Sequence, residues 1–253
     1  MARSESSRRP VALVTGLGAI TPLGLTVADF WQNLCAGRSG IGPITAFDTS
    51  DLPVRIAGEV RGFEPANYMD GKAARRMGRF AQFGVAAARL ALNDSGLTID
   101  ASNQFDVGVV MNTGGGDIGE IAEQEMVRAQ RGARRVSPLT VPVYAPNMAA
   151  CQVSINLGAR GPIVTSLAAC ASGVHSFIQG LRLIQNGEAD VVIAGATEAA
   201  TIPVSVAAFA NARALSARND DPAGACRPFD RARDGFVMSE GAAPLVLESV
   251  EHA

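Results

Sequence analysis

Residues 161–186 read GPIVTSLAACASGVHSFIQGLRLIQN. The first part, 162–167, is apolar and β-branched and predicts a short buried strand. From 171 to 185, Val174, Phe177, Ile178, Leu181 and Ile184 recur at helical spacing. Cys170 falls on the join. A helix start leaves backbone N–H groups unpaired and carries the positive end of the dipole, surroundings that favour a thiolate. Free cysteine is also among the most buried residue types, so a packing role is the competing explanation. Ala168, Ala169, Ala171, Ser172 and Gly173 weigh against it, because small neighbours leave room for a substrate where a packing site would be lined with bulk.

Working outward, residues 105–111 (FDVGVVM) and 189–195 (ADVVIAG) read as further buried strands, the first opening into the turn NTGGGD and an acidic helix over 118–129. Three successive glycines at 114–116 mean close backbone approach or a mobile loop. Helices alternating with such apolar strands predict an α/β fold with a sheet covered on both faces. Towards the start, 11–15 (VALVT) predicts a buried strand that ends in GLGAITPLG at 16–24. This is no dinucleotide fingerprint: Thr21 stands where the third glycine belongs, Pro22 interrupts the turn, and no acidic residue closes a following strand.

Thr26 is placed to cap a helix with Phe30, Trp31 and Leu34 that closes at Gly37, before a Pro- and Gly-rich connector. A long helix is expected over 73–95, with Phe80, Phe83, Ala87 and Leu90 on one face, a basic first turn and the stop signal NDSG. Residues 131–146, with Pro138, Pro142 and Pro146, read as a loop, after which Asn147 begins a short helix. A charged loop over 227–234 leads into a strand at Ala242.

The 253 residues, 47% hydrophobic, suffice for a full core in one large or two small domains. A net charge of −2 disfavours general nucleic-acid binding. No apolar run is long enough to span a bilayer, and the polar start MARSESSRRP is not a convincing secretion signal, so a cytoplasmic location is expected. Cys35, Cys151, Cys170 and Cys226 are scattered without C-x-x-C spacing, which fits reduced thiols better than a disulfide frame or a zinc site.

The stretch around Cys170 resembles the nucleophile motif of the elongating β-ketoacyl-acyl-carrier-protein synthases, condensing enzymes of the thiolase-like family. VTGLGAITPLG, GPITAFDTSDLPVRIAGEV and ARALSARNDDPAGACRPFDRARDGFVMSEGAAPLVLE resemble family segments as well, in order, through nearly all of residues 1–253. The resemblance implies that these residues form the N-terminal half of a thiolase-like, five-layered αβαβα architecture. Family members continue into a second half, which carries their two catalytic histidines and is absent from residues 1–253.

What the resemblance implies about function is specific. Cys170 would accept an acyl group from acyl carrier protein as a thioester, its own N–H serving as one oxyanion donor, and a decarboxylated malonyl unit on the carrier would then attack that thioester, as in fatty acid biosynthesis. No cofactor or metal is implied. Gly115 and Thr140 match positions lining the acyl tunnel, where the family carries bulkier residues, and Phe209 matches an aromatic beside the nucleophile. Lys72, Arg75 and Arg76, with Arg213, match positions that dock the acidic carrier protein. A solvated basic face is the plain alternative for that cluster, which with Arg79 recurs over one or two helical turns. The resemblance further implies a homodimer paired along 162–167. His175 matches a non-catalytic family histidine and is expected to pack, while His252, next to last, is expected to fray.

Two other readings compete. A cysteine hydrolase would need a base paired with Cys170, and neither histidine is credibly placed. A non-catalytic partner that only associates with carrier protein or another synthase subunit is disfavoured by the retained Cys170.

Overall fold

The chain alternates strands and helices over most of its length. A computed structural model describes residues 11–253; the polar stretch 1–10, read above as no secretion signal, lies outside the described residues. In chain order the elements are β1 (Ala12–Leu17), α1 (Val27–Cys35), β2 (Ile41–Pro43), β3 (Ile56–Gly58), α2 (Gly71–Ala74), α3 (Arg79–Ser95), β4 (Val107–Asn112) and α4 (Ile118–Arg131). They continue with α5 (Thr140–Tyr144), α6 (Met148–Leu157), β5 (Ile163–Val164), α7 (Ser172–Gln185), β6 (Val191–Glu198), α8 (Pro203–Asn211) and β7 (Gly241–Ser249). Five strands form one mixed sheet in the order β1-β7-β6-β4-β5, and β2 pairs with β3 separately. β4 runs parallel to β6 and β5, with Val109 opposite Ile193; β7 is antiparallel to β6 and to β1.

The near-continuous apolar runs of β4 and β6 follow from burial on both faces. Side chains alternate across a strand, so Val107, Val109, Met111, Val191 and Ile193 enter a core beneath α3 and α6, while Val110, Val192, Ala194 and Leu247 meet α7 on the other side. A smaller apolar cluster joins Ile44, Val54 and Ile56 to Val206, Leu215 and Met238. The α/β expectation and its two-sided cover therefore hold, but the second face has a single helix on it. The outer side of α7 is bare: Val174, Ile178 and Leu181 are exposed.

Several local expectations change. The helix expected over 73–95 is two helices, because the chain leaves helical geometry at Gly78, which is extended (φ −63, ψ 154). Gln82 secures the break by donating Nε2 to the carbonyls of Ala74 and Met77. β1 was expected to be buried, yet Leu13, Val14 and Leu17 are exposed; it is an edge strand with α3 against one side. The 131–146 loop contains the short helix α5. The strand expected over 162–167 pairs only at Ile163–Val164, beyond which side chains take over: Thr165 Oγ1 donates to the Met111 carbonyl and Ser166 N–H to Asn112 Oδ1. Thr26 does cap α1, accepting from the Asp29 N–H at 3.1 Å.

The glycines at the end of β1 have a packing explanation. A Cβ on Gly16 would stand 2.1 Å from the Ala91 carbonyl oxygen, and one on Gly18 would stand 2.0 Å from that of Ala87, so β1 lies directly against the backbone of α3. Gly16→Ala is expected to cost about 1–3 kcal/mol through overpacking. Urea denaturation measures it; an unchanged midpoint would contradict this close approach.

Candidate active site

Cys170 lies in a one-turn 3-10 helix, Ala169–Ala171, which runs straight into α7. Ala169, just before it, has φ +47, a left-handed conformation that a residue with a Cβ adopts at a cost of about 1–3 kcal/mol. Such strain persists only where the surroundings fix it. Here a buried polar network does so. Asn112, at the end of β4, donates Nδ2 to the Ser172 carbonyl at 3.0 Å and accepts the Ser166 N–H at 2.9 Å. The Ser172 hydroxyl accepts the Ala168 N–H at 3.0 Å and donates to the Thr113 carbonyl at 3.2 Å. Asn112, Thr113 and Ser172 are all buried, so the end of the parallel strand pair is tied to both sides of the Cys170 turn. The sequence shows Ser172 only as a small neighbour; its hydroxyl is a structural tie.

The thiol itself is exposed and opens onto a groove of about 780 Å3. Gly115 and Phe209 line the groove with Cys170. Phe209 packs edge-on to Phe236, with ring centroids 5.5 Å apart. Thr140 does not line it: it sits on α5 with its hydroxyl bonded to Glu120 Oε1 and the Ser137 carbonyl. Neither histidine lines it. His175 shares a 2.8 Å hydrogen bond between Nδ1 and the Ser166 hydroxyl. His252 is not frayed, as its Nδ1 lies 2.6 Å from the buried Glu248 and its N–H bonds back to Ser249.

The sequence gives no hint of Glu198, which also lines the groove. Burial pushes its carboxyl above the usual range, while hydrogen bonds from the Gly114 and Ala199 N–H groups and the Thr113 hydroxyl pull it down and Asp117 pushes it up; the net direction is upward.

The basic cluster divides. Arg79, although itself exposed, is tied down: it holds the buried Glu240 through Nε at 2.9 Å and Nη2 at 2.7 Å and lies 4.5 Å from the Phe83 ring centre. Lys72, Arg75, Arg76 and Arg213 are exposed, and none forms an ion pair among the described residues.

With this geometry in hand, the relatives are informative. The family described as "Beta-ketoacyl synthase, N-terminal domain" matches residues 8–253. The chain belongs to that family. A 3-oxoacyl-acyl-carrier-protein synthase 2 from Synechocystis sp. is 48% identical over 253 residues, covering 100% of this chain and 60% of the relative. One of the same description from Coxiella burnetii is 45% identical, over 95% of this chain and 58% of the relative. Among solved structures, the ishigamide ketosynthase/chain length factor superposes with a TM-score of 0.88 at 33% identity, covering 97% of this chain and 60% of that one. A type II polyketide ketosynthase solved with its acyl-carrier protein gives 0.80 at 28% identity, with the same two coverages. The fold is thus the thiolase-like one of these ketosynthases. The chain spans about 60% of the length of the relatives it matches.

Thiol position separates the cysteines. Cys35 and Cys226 are exposed too, but Cys35 ends α1, next to the negative end of that helix, whereas Cys170 precedes the start of α7. With limiting iodoacetamide, peptide mapping is expected to find Cys170 alkylated first. Faster labelling of Cys35, Cys151 or Cys226 in the folded chain would count against the site.

Proposed function

We propose that the chain is the nucleophile-bearing half of a condensing acyltransferase that elongates carrier-bound acyl chains. The observation that carries this is an exposed cysteine on a strained turn, at a helix start, lining a largely apolar groove of about 780 Å3. In this reading the Cys170 thiolate attacks the thioester carbonyl of acyl carrier protein. A new carbon–sulfur bond forms, the carrier thiolate leaves, and backbone N–H groups at the beginning of α7 stabilise the oxyanion between the two events. Gly115 and Phe209 would border the bound chain. Thr140, assigned there by resemblance alone, gains no support from the groove of this chain.

Condensation also needs groups that drive malonyl decarboxylation and hold the resulting enolate. By family resemblance these are two histidines outside residues 1–253, so this chain by itself is expected to stop at the acyl-enzyme. A cysteine hydrolase is disfavoured because neither His175 nor His252 reaches the groove. The soluble, cytoplasmic setting of fatty acid synthesis fits this reading, and no helix among the described residues is long and apolar enough to cross a membrane. The short β5 edge, with Ile163 and Leu167 exposed, suits pairing with a second copy; a monomer in light scattering at high concentration would remove that part of the reading.

An acidic carrier protein is the partner that the exposed Lys72, Arg75, Arg76 and Arg213 complement, and one polyketide relative was solved with its carrier. Charge reversal of Lys72, Arg75 and Arg76 to Glu is expected to weaken carrier binding in surface plasmon resonance and to flatten its salt dependence. The same change at Arg79 would instead break its internal bond to Glu240. Unchanged affinity and salt slope in the triple variant would take these residues off the partner surface.

A further inference from the structure

Glu198 ends β6 with its carboxylate spread over three donors. Oε2 accepts the Gly114 N–H at 2.9 Å and the Thr113 hydroxyl at 3.2 Å, and Oε1 accepts the Ala199 N–H at 3.1 Å. Two of these donors belong to the glycine turn over 113–116 that follows β4. A Cβ on Gly114 would stand 2.8 Å from Glu198 Oε2, so a side chain there would push the carboxylate aside. Across the turn, the Asp117 N–H bonds to the Tyr144 carbonyl at the end of α5. The turn is therefore clamped between β6 and α5, with Gly115, Ile118 and Glu198 all on the groove wall beside Cys170. A Cβ at Gly115 would already press on Ile118 Cδ1 at 3.1 Å, so a small shift of the turn changes the shape of that wall. Burial and the neighbouring Asp117 make the ionised carboxylate costly where it stands, which gives its retention against the turn a function to explain.

We propose that Glu198 is a positioning residue that, through Gly114 and Thr113, sets the groove wall along which an alkyl chain on Cys170 lies, and so determines which chain lengths the site accepts. This rests on reading the groove as an acyl site. Glu198 acts through the turn and not on the sulfur. The Cys170 turn is held by the backbone end of β4, through Asn112 Nδ2 and the Thr113 carbonyl on Ser172, whereas Glu198 engages the Thr113 hydroxyl and the Gly114 N–H.

The test uses the 253-residue chain as wild type, Glu198→Gln, Gly114→Ala and the double variant. Glu198→Gln keeps the side-chain volume but turns one acceptor into a donor facing N–H groups. Gly114→Ala displaces the carboxylate from the opposite side, so if one variant fails to fold by circular dichroism the other decides. Each protein is alkylated with iodoacetamide and with its N-octyl and N-hexadecyl derivatives, and the rate at Cys170 is read by peptide mass spectrometry. The ratio of long-chain to short-chain rates is expected to change by about tenfold in each single variant and no further in the double one, as for two residues sharing one contact. Rates with iodoacetamide itself should stay close to wild type. Unchanged ratios in the folded variants, effects that multiply in the double variant, or unfolding of both single variants would overturn the proposal. A wild-type Cys170 indifferent to alkyl length would overturn the acyl-site reading as well, which separates the two failures.

Discussion

The seat of α7 on the sheet is the constraint from which the site follows. The helix meets β6 and β7 through small residues: Ser172, Ser176 and Gly180 are buried, and a Cβ on Gly180 would stand only 3.1 Å from Ala194 Cβ and from Leu247 Cδ1. A helix that close to the strands fixes where its first turn emerges. Asn112 completes the constraint from the end of β4, so that the turn holding Cys170 is defined by packing along α7 and by hydrogen bonds at its start. Were Asn112 replaced by an apolar residue, the part-buried Ser166 N–H and the buried Ser172 carbonyl would each lose a partner, the latter at roughly 1–3 kcal/mol. That is ample to relax the strained Ala169 backbone, and with it the position of the thiol.

The same seat explains the asymmetry of the molecule. On the α3 and α6 side, two helices cover the central strands, and Phe80, Phe83 and a run of buried alanines let α3 lie tight against β1 and β7. On the α7 side, α7 is the helix that covers the strands, and among the described residues Val174, Ile178 and Leu181 on its outer side stay exposed. An apolar stripe of that kind calls for a further surface.

Much of this was legible in the residues. β4 and β6 announce themselves as uninterrupted apolar runs, because strands buried on both faces lose the alternation that a half-exposed strand shows. Cys170 could be placed at a helix start because helical spacing begins right after it, and Thr26 could be read as a cap because side chain and backbone meet locally. What stayed hidden depends on partners distant in sequence. The bond between Glu198 and Gly114 spans 84 positions and that between Arg79 and Glu240 spans 161, so nothing local marks either carboxylate. Arg79 therefore looked like one more member of a basic face. The exposure of β1 depends on its place at the sheet edge, and the break at Gly78 on Gln82 reaching back to free carbonyls; neither is a property of the segment itself.

The most direct test of the account is acyl transfer to the chain itself. After incubation with a long-chain acyl-carrier protein, intact-mass and peptide analysis should find one acyl group, on the peptide containing Cys170, and none in Cys170→Ala. An acyl group elsewhere, or none on a chain that circular dichroism shows to be folded, would contradict the claim that the seat of α7 presents Cys170 as the nucleophile.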